Sequence, residues 1–172
     1  MKNSKIQFIT TCGIIAALYA VLTVAVAPLG FGVWQFRVSE ALTILPVFTP
    51  AAIPGLFLGC IVANIYGLTV SALGPMDIIF GSLASLIAAL LTYAVRNIKL
   101  KGVPFLAPLP PILVNAVIIG AEFCVVAGNF TPGFFFLQAG PIALGQTIAC
   151  YVLGIPLYLA LAKLNQKRPI LR

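Results

Sequence analysis

Apolar residues run along this chain in five stretches without a charge, 6–36, 41–76, 78–95, 102–121 and 123–162. A membrane-spanning helix needs about 20 apolar residues. The shorter stretches therefore hold one span each, and the longer ones hold more than one span or a span plus a buried loop. Proline and glycine divide them. Helix 1 is predicted over about Ile6 to Ala27, stopped by Pro28 to Gly32, and helix 2 from near Ser39 to Phe48–Pro50. Helix 3 covers about Ala51 to Tyr66, and an uncharged loop from Gly67 to Pro75 leads to helix 4, which starts at Met76 or Asp77 and ends near Tyr93. Helix 5 covers about Phe105 to Ala127, and Gly128 to Gly140 connects it to helix 6, which ends near Lys163. The expected fold is all-α: one domain over residues 1–172 with six transmembrane helices. The first apolar run is longer than the roughly 7–15 residues of a signal-peptide core, so it is read as the first span.

Composition agrees. The chain is 62% hydrophobic and 8% charged and has no histidine, whereas a soluble domain is about a quarter charged. Lysine and arginine accumulate in cytoplasmic loops. Lys2 and Lys5 precede helix 1, Arg96, Lys99 and Lys101 lie between helices 4 and 5, and Lys163, Lys167, Arg168 and Arg172 follow helix 6. An even number of spans between these clusters puts all of them on one side, so both termini are expected in the cytoplasm. The net charge of +7 then follows from topology, and no nucleic-acid partner is needed to explain it. Arg37 alone is left on the outer side.

Several chemistries are excluded. Cys12, Cys60, Cys124 and Cys150 have neither paired spacing nor a histidine to complete a metal set, so they read as small lipid-facing or packing residues, and no cofactor is expected. The sequence contains no nucleophile elbow and no phosphate-binding glycine loop. The protein is not read as an enzyme, and if it transports uphill the energy comes from elsewhere.

The three acids, Glu40, Asp77 and Glu122, all fall at or near the outer face. Charges in spanning segments are costly and mark functional sites by default. Arg37 and Glu40, three apart, fit an ion pair over the first turn of helix 2, where Ser39 suits a cap, and they also fit ligand contact. Asp77 suits a helix start as well as a site. Glu122 has neither a helix end nor a base nearby in sequence. Asn115, seven residues earlier, shares its face, and Gln138 and Gln146 are eight apart on helix 6; these amides fit either ligand contact or interhelical bridging. Asn64 on helix 3 joins the candidates. Trp34, Phe36 and Phe134 to Phe136 suit an interfacial belt or an aromatic wall. On helix 1, Gly13, Ala16, Ala17 and Ala20 form a small-residue stripe that admits a close helix, either a partner's or one of the bundle's own.

The runs "WQFRVSEALTILP", "GLFLGCIVANIYG", "DIIFGSLASLIAALLTY", "PPILVNAVIIGAE" and "LGIPLY" resemble the QueT family of queuosine-precursor transporters, substrate-binding S components of energy-coupling factor (ECF) importers. The likeness covers nearly the whole chain. It implies an S-component-like bundle in the bacterial cell membrane, with a site near the outer face for a 7-deazaguanine such as preQ1. It also implies that the helix 1 stripe docks on a transmembrane coupling subunit joined to two ATPases. PreQ1 carries a protonated aminomethyl group and guanine-like N–H donors, for which carboxylates are the natural acceptors. The alternatives are an S component for riboflavin, thiamine or biotin, a solitary permease, and a membrane assembly subunit that binds nothing small.

Overall fold

The computed structural model describes residues 2–31 and 35–167, which leaves Trp34 outside the described residues. The elements are helical throughout: α1 (Lys2–Ala25), a single turn α2 (Ala27–Gly30), a 3-10 segment (Val38–Val47), α3 (Ala52–Gly67), α4 (Pro75–Ala94), α5 (Leu109–Ala127), α6 (Pro132–Thr147), a π segment (Ile148–Leu153) and α7 (Gly154–Lys167). Among the described residues, bridge pairing is confined to Leu100 with Val103. Four helical runs are long and apolar enough to cross a bilayer: Ser4–Ala25, Pro75–Ala94, Leu109–Ala127, and Pro132–Gln166, which joins α6, the π segment and α7. Two shorter apolar helices, Val38–Val47 and Ala52–Gly67, lie between the first and second of these. The chain is an all-helical membrane protein.

Helices α1, α3, α4, α5 and α6 pack in succession, and the 3-10 segment touches α1, α3, α4, α7 and the π segment. Ser39 to Pro46 are all buried. An ordinary helix is expected here, but the structure has a 3-10 helix. At about 2.0 Å per residue it stretches ten residues over roughly 20 Å, where an α-helix would reach about 15 Å. Pro46 has no N–H for an α-helical bond, and the Thr43 hydroxyl donates to the Glu40 carbonyl at 2.6 Å. The carbonyl is thereby satisfied within the turn.

Helix α3 meets α1 through Gly55 and Gly59. A Cβ at Gly59 would lie 2.8 Å from the Ala16 carbonyl and from the Tyr19 Cβ, and one at Gly55 would lie 2.9 Å from the Cys12 carbonyl. This is the close approach that small residues allow in lipid. The helix 1 stripe is divided by it: Ala16 is half-buried against α3 and Ala20 is buried, while Gly13 and Ala17 are exposed.

The stretch Gly128 to Gly140, expected as a loop, is mostly helix. Pro132 opens α6 at a first-turn position, and Thr131 caps it, its hydroxyl accepting from the Phe134 N–H at 3.4 Å. The 95–108 connection is tied to the far end of the bundle by the Tyr158 hydroxyl, which donates to the Gly102 carbonyl at 3.2 Å. Thr11 and Ile14 of α1 line one groove with Leu161 and Leu164 of α7. The described basic clusters thus gather at one end, and the outer candidates lie toward the other.

Candidate functional site

The polar candidates converge on the buried 3-10 segment. Arg37, just ahead of it, does not pair with Glu40. Its Nη2 donates to Asp77 Oδ2 at 2.8 Å, the two side chains being 5% and 1% exposed. The Arg37 backbone is extended, which frees the side chain from the helical three-residue spacing and sends it across to the first turn of α4. Its Nε donates to the Gly30 carbonyl at 3.2 Å, and the guanidinium lies 5.0 Å from the Phe31 ring centroid.

Asp77 is held from the other side by Asn64, whose Nδ2 donates to the Asp77 carbonyl at 2.6 Å. Gly81, one turn along α4, leaves room for the carboxylate; a Cβ there would sit 2.2 Å from Asp77 Oδ1 and 2.9 Å from Asn64 Nδ2.

Glu40 has different partners. The Tyr19 hydroxyl of α1 donates to Oε1 at 2.5 Å, and Asn115 Nδ2 of α5 approaches Oε2 at 3.5 Å. Ser39, expected as a cap, makes no cap bond; its hydroxyl meets Thr23 Oγ1 at 2.6 Å. Gln146 is buried and accepts from the Cys150 thiol at 3.8 Å, and the same sulfur lies 3.7 Å from the Glu40 carbonyl. Gln138 is half-buried on α6 and makes no hydrogen bond to this group.

Glu122 stands apart. It is 3% exposed, and neither carboxylate oxygen has a hydrogen-bond partner. It lies close enough to Asp77 and Arg37 to feel both charges, and Ala121 and Val125 with Met76 and Phe80 form an apolar cleft beside it. Among the described residues the other buried side-chain atoms without a partner are Asn64 Oδ1, Asp77 Oδ1, Gln35 Nε2 and Ser82 Oγ. Acceptors predominate.

The structure therefore joins Arg37, Glu40, Asn64, Asp77 and Asn115 in one polar centre, with Glu122 within electrostatic reach and Gln146 at its edge. Tyr19, Gly81 and Gly59 are absent from the sequence candidates. Of these only Gly59 carries a signal, as the second glycine of Gly55-x-x-x-Gly59. No group of three or more potential metal-ligating side chains occurs among the described residues.

Comparison with known proteins places this chain in a family. The chain is 36% identical over 89 residues to a curated protein of Lactococcus lactis subsp. cremoris (strain MG1363) named queuosine precursor transporter QueT, a match covering 51% of this chain and 50% of that protein. The chain thus spans about half the length of the curated relative it matches. No solved structure matches it. The family model described as QueT transporter matches residues 9–163. A multi-pass protein of the cell membrane with a buried polar centre, the chain belongs to the QueT transporter family.

Proposed function

We propose that this protein is the substrate-binding component of an ECF-type importer. It captures a preQ1-like 7-deazaguanine at the outer face and delivers it inward with a transmembrane coupling subunit and two ATPases. One observation carries the reading: buried acceptors are left free in and beside the polar centre, Asp77 Oδ1 and Asn64 Oδ1 within it and both oxygens of Glu122 next to it. A buried carboxylate without a partner is costly, and a ligand bringing an ammonium group and several N–H donors removes that cost. Glu122 is the acid assigned to the ammonium. Asp77 is already balanced by Arg37, and both Glu40 oxygens already accept.

Membership of the family supports transport. The sequence has no phosphate-binding loop of its own, in keeping with a reading in which the ATPases are other subunits. In this reading both termini face the cytoplasm, and the coupling subunit meets the exposed side of the helix 1 stripe, Gly13 and Ala17, rather than Ala16 and Ala20. Calorimetry of the purified chain with preQ1, preQ0, queuine and riboflavin tests the substrate. The proposal requires one site, with preQ1 bound most tightly; a preference for riboflavin would refute it.

A further inference from the structure

Glu40 is closed in from two sides, by the Tyr19 hydroxyl at Oε1 and by Asn115 Nδ2 at Oε2. A carboxylate accepts and does not donate, so the end of the Asn115 amide that faces it has to be the nitrogen. Among the described residues no hydrogen bond reaches the Asn115 carbonyl oxygen, and the side chain retains 4% exposure. The Tyr19 ring is fully buried at the α1–α3 seam, where a Cβ at Gly59 would lie only 2.8 Å from the Tyr19 Cβ. With the ring confined, its hydroxyl stays on Glu40, and Glu40 stays on Asn115.

We propose that Tyr19 is a positioning residue: through Glu40 it fixes the Asn115 amide with the carbonyl toward the ligand, so that this part of the site reads N–H groups and rejects lone pairs. The inference rests on the deazaguanine reading of the site and adds what sets its hydrogen-bond polarity. Asn64 follows the same logic independently, because its nitrogen is committed to the Asp77 carbonyl and its oxygen is left free. Without the tyrosine hydroxyl, the Glu40 carboxylate is released to turn and the amide to flip.

The test compares affinities for 7-deazaguanine and two analogues, one lacking the exocyclic amino group and one methylated at the ring N–H. The wild-type protein is expected to disfavour at least one analogue roughly tenfold. Tyr19→Phe keeps the ring and its packing, and it is expected to shrink that ratio to about two or less while a thermal melt stays near wild type. Asn115→Ala removes the reading group itself and is expected to do the same; an Asn115→Ala protein that keeps the ratio overturns the proposal even if Tyr19→Phe does not fold. An equal loss of affinity for all three ligands, with the ratio intact, marks a structural role and overturns the proposal. So does a wild-type protein that binds 7-deazaguanine without discriminating. A wild-type protein that binds none of the three overturns the functional reading itself, and this inference with it.

Discussion

Replacing Arg37 by methionine keeps most of the aliphatic stem and removes the guanidinium. Asp77 loses a donor at 2.8 Å in a site where it is 1% exposed, and the Gly30 carbonyl loses one at 3.2 Å. Stranding one member of a buried ion pair costs about 3–5 kcal/mol, and the lost bond from the charged guanidinium to the Gly30 carbonyl adds about 1.5–3 kcal/mol. Arg37→Met is therefore expected to lower the unfolding free energy by about 5–8 kcal/mol, and Asp77→Asn, which leaves the Gly30 bond in place, by about 3–5 kcal/mol. The double variant removes both charges together and is expected to lie within about 3 kcal/mol of wild type. Equilibrium unfolding of the four ligand-free proteins in mixed micelles measures the cycle. A second cycle pairing Arg37→Met with Glu40→Gln is expected to couple more weakly, because Glu40 already accepts from Tyr19 and Asn115. Additivity in the first cycle, or stronger coupling in the second, would refute the assignment of Asp77 as the partner of Arg37.

Glu122→Gln is expected to weaken preQ1 binding by roughly tenfold to a hundredfold, as a charge-assisted hydrogen bond is lost, with stability unchanged or higher; calorimetry and micelle unfolding of the same preparation check both. Gly81→Ala drives a methyl into the space of Asp77 Oδ1 and is expected to cost about 1–3 kcal/mol, whereas Gly140→Ala, with nothing within 4 Å of the new atom, is expected to be neutral or stabilising in the same assay. Ala16→Trp is expected to break the α1–α3 seam and lower stability by about 1–3 kcal/mol or more. The exposed Ala17→Trp is expected to change unfolding by no more than about 0.5 kcal/mol while weakening co-purification with the coupling subunit, and a normal assembly would remove Ala17 from the docking face.

Helices α3, α4 and α5 were legible because apolar runs bounded by glycine and proline mark spans directly. The type of helix over Val38–Val47 was not. A segment buried on every side shows no periodicity that separates three residues per turn from 3.6. The start of α6 has a signal of its own, since Thr131 followed by Pro132 marks a cap and first turn, but the surrounding glycines favour a loop. The convergence of Asn64 and Asp77 follows from topology, since the end of α3 adjoins the start of α4; that Asn115 reaches Glu40 from within α5 does not. Which acid meets Arg37 did not follow. Local spacing favours Glu40, and the actual partner lies forty residues away across an interhelical contact. Tyr19 was hidden for the same reason, as one aromatic residue among many on an apolar helix until its hydroxyl is seen against Glu40. The division of the small-residue stripe depended on where Gly59 falls on the facing helix.

A structure determined with preQ1 bound measures the central claim most directly. The account predicts the ligand within the polar centre, its ammonium nitrogen about 2.7–2.9 Å from a Glu122 oxygen, and Arg37 still paired with Asp77. A ligand seated elsewhere, or one in the centre that leaves both Glu122 oxygens without a partner, would contradict it.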